Sequence, residues 1–289
     1  MEDLAGNVIF DSTYFDSKSN NRSFVIAGIG ALYKKSNSLE VYANISQNYR
    51  SINFTDMQIQ NPNFRIDPNL ADEKGYNSDL GFRGGIKNKI QYDVSLFCLY
   101  YHNRIGTTVE TDTLLFNTYQ YRTNISASLT KGIEAMAEIS LWKWFVNDSS
   151  KFDLSYFINT SFVDSKYITS KEEAFENKKV ELVPPFNLKT GITFKYKTFS
   201  ASYQYSYTHQ HFSDATNSVQ QANAVNGIIP TYQIMDLSFK YSYKKIQIET
   251  GINNLTNASY FTRRATGYPG PGIIPSSPRN YYLSLQIQI

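Results

Sequence analysis

Apolar residues recur at every second position along most of this chain. In the last ten residues, Tyr281, Leu283, Leu285, Ile287 and Ile289 fall on one side, and Tyr282, Ser284, Gln286 and Gln288 on the other. Residues 152–162 set Phe152, Leu154, Tyr156, Ile158 and Phe162 against Asp153, Ser155, Asn159 and Ser161. The same alternation runs through 186–196, 199–207 and 236–243. A period of two places one apolar face along a β-strand, because successive side chains point to opposite sides. No stretch carries a 3.6-residue period over three turns.

The connections alternate between short and long. Short Lys-rich turns are predicted near Lys34–Lys35, Lys87–Lys89, Lys195–Lys197 and Lys244–Lys245, with a slightly longer one at Val146–Ser150. Long loops are predicted near 51–75, 106–125, 166–184, 212–230 and 258–279. All nine prolines fall in these long loops, as expected of a residue that cannot donate to a sheet ladder. About eleven strands follow from Ser23 onward, with a possible twelfth near Val8–Tyr14. Strands of ~10–16 residues exceed the usual soluble length of about 5–6 and suit a bilayer crossing, which takes about 9–11. Short turns at one end and long loops at the other are the layout of an antiparallel transmembrane β-barrel. Trp142 and Trp144 beside a short turn, and Tyr100 and Tyr101 toward a loop, would form aromatic girdles. A soluble sandwich or propeller is the weaker reading, because its outward faces would be too apolar.

Composition sharpens this picture. The 289 residues are 41% hydrophobic and 18% charged, with 23 Tyr and 19 Phe. Alternation explains how so aromatic a chain lacks any apolar run of helix-spanning length. A net charge of +3 excludes a strongly basic nucleic-acid binder. The single Cys98 excludes an intrachain disulfide and a Cys-rich metal knuckle. Met1–Asn20 is acidic and has neither the basic start nor the apolar core of a signal peptide, which taken alone points to the cytoplasm.

Candidate chemistry is sparse. His209 and His211 share a strand face and could chelate a metal, but they continue the parity of Tyr203, Tyr205 and Tyr207, so polar residues at a membrane edge are the preferred reading. His102 and His209 with a nearby Ser or Asp make no recognisable catalytic set, so no enzyme is expected. Cys98 reads as a small packed residue. Gly267, Gly270 and Gly272 alternate with prolines and read as a rigid turn. Arg263 and Arg264 are adjacent in a long loop, and Arg suits bidentate recognition of carboxylates; bridging between loops or contact with anionic lipid is an equal alternative.

Two blocks resemble a known family. Residues 41–83, VYANISQNYRSINFTDMQIQNPNFRIDPNLADEKGYNSDLGFR, look like the barrel of TonB-dependent outer-membrane receptors, closest to the ferric-citrate type. The closing stretch is similar to the end of such barrels, where N-N-L-x-N/D-x-x-Y leads into a last loop and a final strand; the matching residues are Asn253, Asn254, Leu255, Asn257 and Tyr260. Lys131-Gly132-Ile133-Glu134 resembles the family's mid-barrel K/R-G-x-E strand start. One departure is Ile289 at the terminus, where many such barrels end in Phe.

The resemblance implies a 22-stranded barrel preceded by a signal peptide, a TonB box and a plug. On this reading residues 1–289 are a C-terminal portion of the barrel domain, without plug or signal peptide, and the acidic start lies inside the barrel. It further implies ligand-gated uptake of a ferric siderophore or iron-citrate-like chelate across the Gram-negative outer membrane. The iron chelate, the TonB complex acting through the plug, and outer-membrane lipid would be the partners. The chelate is cargo, and no resident cofactor or metal is expected. Arg263 and Arg264 are the foremost ligand-binding candidates, followed by Tyr49, Arg50 and Asn53 at the start of another mouth loop. The portion alone is expected not to transport. The alternative is a self-contained twelve-stranded pore for passive diffusion, whose even count suits closure.

Overall fold

The computed structural model describes residues 24–59, 63–112, 117–144, 146, 151–170, 175–219, 226–264 and 272–287. The possible strand at Val8–Tyr14 and the terminal Ile289 lie outside these. In chain order the strands are β1 (Gly28–Ser36), β2 (Leu39–Arg50), β3 (Phe64–Ile66), β4 (Glu73–Ile86), β5 (Ile90–Asp112), β6 (Asn117–Ser140) and β7 (Phe152–Ser170). There follow β8 (Phe186–Tyr196), β9 (Phe199–Thr208), β10 (His211–Phe212), β11 (Ile228–Ile229), β12 (Tyr232–Tyr243), β13 (Ile246–Asn253) and β14 (Asn280–Ile287). One helical turn, α1 (Phe54–Met57), follows β2, and a 3-10 turn spans Trp142–Trp144.

Eleven of these strands form one antiparallel path, β1-β2-β4-β5-β6-β7-β8-β9-β12-β13-β14. The count agrees with the alternation pattern. The predicted outward residues Phe162, Ile192, Tyr241 and Leu283 are exposed, and Leu80, Leu96, Ile133 and Ile248, which pair across the strands beside such residues, are exposed with them. An apolar face this extensive belongs against lipid. Among the described residues β1 and β14 pair with no strand on their outer sides, so the sheet is an open part of a barrel. Eleven strands alternating in direction leave β1 and β14 running the same way. Joining them would create a parallel seam, whereas such barrels are antiparallel throughout. The eleven described strands therefore do not close on their own as a pore.

The polar, inward face has its own packing rule. Four aromatic side chains lie across glycines directly opposite them on the next strand: Tyr42 over Gly81, Phe97 over Gly132, Phe157 over Gly191 and Tyr282 over Gly251. Each glycine leaves the gap that the ring fills. Tyr42 reaches across β4 in this way, and its hydroxyl donates to Asp93 Oδ1 on β5 at 2.8 Å. Gly132 therefore marks the middle of β6, not a strand start, and its role is to admit a ring.

Three predicted boundaries shift. The first short turn lies at Asn37–Ser38, leaving Lys34 and Lys35 within β1. The stretch 106–125 is mostly not loop: β5 and β6 extend to Asp112 and from Asn117 as a protruding hairpin. Its alternation is of polar residues with each other, which a hydrophobic period cannot detect. Tyr100 and Tyr101 consequently lie mid-strand. The turns at Lys87–Asn88, Lys197 and Lys244 hold left-handed backbone, with φ between 47° and 54°, as tight hairpin turns require.

Candidate ligand-binding mouth

Two of the long connections, through Phe175–Val183 and Ser213–Ser218, pack on the ends of β6 and β7. The hydrophobic core of the described residues is here, not in the sheet. Ile125 and Tyr167 from the strands pack with Phe175, Val180 and Ala215 from two loops, with Val183 against them. Tyr167 is wholly buried, and its hydroxyl donates to Glu181 Oε2 at 2.5 Å. Asn217 ties the two loops together: its Oδ1 accepts from Lys179 N–H at 2.7 Å and its Nδ2 donates to Lys179 O at 2.8 Å.

Beside this core, residues 51–59 and 63–72 form a strap over the strands. Asn53 caps α1: its side chain accepts from Asp56 N–H at 3.0 Å, while Asp56 Oδ2 accepts from Asn53 N–H at 3.1 Å. This reciprocal box satisfies two N-terminal donors that the short helix cannot. The second half of the strap, β3, pairs in parallel with β6 from Phe64–Gln120 to Ile66–Arg122. Thr123 Oγ1 donates to Asp67 Oδ2 at 2.6 Å, and Asn124 exchanges hydrogen bonds with the backbone of Ala71.

Two carboxylates beneath the strap are almost fully buried, Asp56 and Glu73, each at 1% exposure. Buried charges persist only when paired and hydrogen-bonded, and here three arginines serve them. Arg50 Nη2 donates to both oxygens of Asp56 at 2.8 Å, and its Nη1 to Glu73 at 2.9 Å. Arg122 donates to Asp56 Oδ1 at 2.5 Å. Glu73 also accepts from Arg104 at 3.4 Å and from Ile105 N–H at 2.9 Å. Burial pushes the Asp56 pKa up, but the Asn53 N–H with Arg50 and Arg122 outweighs it and holds the carboxyl below its ordinary value of 3.8. A depressed carboxyl stabilises the fold above its unfolded pKa, and that contribution is lost only as pH falls through the lower folded value. The strap should thus stay closed at pH 5 and open only in stronger acid, as amide exchange across 53–59 would show. Opening already near pH 5 would contradict the pairing.

The five sequence candidates occupy different settings. The Tyr49 hydroxyl donates to Asp72 Oδ2 at 2.5 Å, and its ring stacks on Phe24 at 3.9 Å. Arg50 and Asn53 hold the strap as described. Arg264 Nη2 donates to Ile228 O at 2.8 Å, its guanidinium stands 5.2 Å over the Phe261 ring, and its backbone bridges to Ile273. Burial lowers its pKa against the pull of Asp214. Arg263 is exposed and makes no ion pair among the described residues. Asp56, Glu73, Arg104 and Arg122 were not legible as a site, since their spacings match no motif. Only the Asn53-x-x-Asp56 box was a local signal.

The motif residues near the C-terminus clip the last loop at both ends. Asn254, in left-handed backbone at φ 52° and buried, accepts from Ala258 N–H at 2.8 Å and donates to Ser277 O at 3.3 Å. Asn257 Oδ1 accepts from Arg279 N–H at 2.9 Å. Tyr260 stacks on Tyr232 at 5.0 Å. Asn suits these positions because it tolerates left-handed backbone and bonds locally. The histidines are near neighbours: His209 Nδ1 lies 3.1 Å from the Tyr207 hydroxyl, and His211 is buried in β10 with Nδ1 3.1 Å from His209 O. Among the described residues no cluster of His, Cys, Asp or Glu is arranged to hold a metal ion, and no helix is long and apolar enough to cross a membrane.

Comparison with known proteins places this architecture. No curated protein sequence matches the chain. Among solved structures it is similar to the unliganded ferric citrate transporter FecA, with TM-score 0.71 and 17% identity, over 91% of this chain and 38% of that one. The copper transporter OprC gives TM-score 0.68 and 13% identity, over 91% of this chain and 40% of that one. The ferric yersiniabactin uptake receptor FyuA from Yersinia pestis gives TM-score 0.65 and 16% identity, over 90% and 36%. The chain thus spans well under half the length of these structures. The model of the TonB dependent receptor-like, beta-barrel family matches residues 5–255. With that match across most of its length, and an open antiparallel sheet of the same fold, the chain belongs to the TonB-dependent receptor-like β-barrel family.

Proposed function

We propose that this chain is part of an outer-membrane receptor for energy-coupled uptake of ferric chelates of the siderophore or iron-citrate kind. Family membership supports the receptor class, and the ferric citrate and ferric yersiniabactin proteins among its structural neighbours support iron chelates as cargo. Energy would come from the TonB complex acting through a plug segment, and the outward apolar face would meet outer-membrane lipid. The chain alone would not transport, because β1 and β14 have no outer partner among the described residues and lipid offers nothing to pair an edge strand. No hydrolase activity is expected of it.

The observation that carries the ligand contact is the difference between two adjacent arginines. Arg264 is committed to Ile228 O and Phe261, whereas Arg263 is an exposed cation at the mouth. Arg263 would contact an anionic chelate by charge-assisted hydrogen bonds without bonding iron. Such a bond contributes about 1.5–3 kcal/mol. In a full-length receptor, Arg263→Ala should weaken ferric-citrate binding by about tenfold or more and leave loop stability unchanged, while Arg264→Ala should loosen the loop. Equal affinity of the Arg263→Ala and native receptors would sink the assignment. Tyr49, Arg50 and Asn53 remain candidates for the same ligand through the strap they hold.

A further inference from the structure

We propose that Arg50, Arg104 and Arg122 form a carboxylate-binding site at the mouth, that Asp56 is its resident occupant, and that an incoming carboxylate displaces Asp56 and frees residues 53–59. The inference deepens the uptake reading and rests on it for the presence of an external ligand.

The exposure of the charges is the first reason. Three guanidinium groups share two carboxylates through direct ion pairs. The arginine side chains remain 25–35% exposed, while both carboxylates beneath are at 1%. The face presented outward is therefore cationic. The Nε atoms of Arg104 and Arg122 are buried and have no hydrogen-bond acceptor. A buried donor in that state is unfavourable, so the present arrangement does not satisfy the arginines fully.

The two carboxylates are held very differently. Glu73 belongs to β4, is paired across the sheet with Arg50, and also accepts the Ile105 backbone N–H. Asp56 belongs to a four-residue helical turn whose described ties are its own capping box and the arginines. The far half of the strap is anchored independently, by the β3–β6 ladder and by Thr123 and Asn124. Displacement would thus move 53–59 and leave 64–72 in place. The seat already holds a carboxylate: Arg50 Nη2 reaches both Asp56 oxygens at 2.8 Å, and Arg122 also donates to Oδ1. An incoming carboxylate can take up the same charge-assisted donors in its place.

The test uses a full-length receptor that contains this chain, in detergent at constant ionic strength and pH 7, with iron-free citrate as the probe. Citrate should raise amide exchange across 53–59 several-fold and leave 64–72 unchanged. Asp56→Asn removes the internal competitor and should bind citrate about tenfold more tightly by calorimetry, with 53–59 already exchanging fast. Arg122→Gln should bind it about tenfold more weakly. Unchanged exchange at 53–59 in the native protein overturns the proposal without recourse to any variant. So does inorganic phosphate acting as strongly as citrate, which would mean screening of the ion pairs. If citrate frees 53–59 but no ferric chelate is taken up, the site stands and the uptake reading fails. Uptake with 53–59 unmoved gives the converse.

Discussion

Glu73→Ala should destabilise the mouth by about 3–5 kcal/mol, the cost of breaking a buried ion pair from one side. The carboxylate binds Arg50 and Arg104 and accepts the Ile105 N–H. Its removal leaves a backbone donor without an acceptor in a buried place and strands part of the positive charge of two arginines. The damage should reach both the strap and the protruding β5–β6 hairpin, because Glu73 is where β2, β4 and β5 meet. Amide exchange at 101–112 and 53–59 should rise together, and thermal unfolding should begin earlier. Glu73→Gln keeps an acceptor of the same shape and should lose less. Replacing Glu73 and Arg50 together by Met should recover part of the loss, since apolar substitution of a whole buried pair is often neutral. Native exchange rates in Glu73→Ala would show that the network is ornamental.

The second large effect is expected inside the barrel. Gly132→Val should prevent β6 from pairing normally, at a cost of about 3 kcal/mol or more. A Cβ at this position would stand 2.2 Å from Phe162 O and 2.8 Å from the Phe97 ring. The ring can rotate away, but the carbonyl is part of the β7 backbone and cannot without breaking the ladder. Adding Phe97→Ala should therefore rescue only part of the defect. Heat-modifiable mobility on a denaturing gel reads the outcome directly in a full-length receptor. A Gly132→Val receptor that folds with native yield would mean that the aromatic–glycine pairs are dispensable.

These two sites differ in how far the sequence reveals them. The strand count and the choice of outward face were legible because both follow from a local period. Leu283 and Leu285, for example, must share a face in any strand that contains them. The prolines marked the loops, since each removes a ladder donor. The hairpin at 101–125 was not legible: its residues are held by strand pairing and by loops packed on them, and neither leaves a hydrophobic period. Gly132 looked like part of a strand-start motif, because nothing in the sequence says that Phe97 will lie opposite it. The register between β5 and β6 decides that.

The mouth shows the same division more sharply. Arg263 and Arg264 are neighbours in sequence with identical chemistry, and only the position of Ile228 O and Phe261 tells the engaged one from the exposed one. Arg50, Asp56, Glu73, Arg104 and Arg122 are scattered over 73 positions of the chain and converge on two buried carboxylates. By itself the sequence determined an antiparallel sheet of about eleven long strands, greasy outside and polar within, because those properties depend on residues one or two positions apart. Tertiary structure alone decided which charges meet, which glycines admit rings and which arginine is left exposed. Those outcomes depend on register and loop docking, where groups far apart in the chain are brought within hydrogen-bond distance.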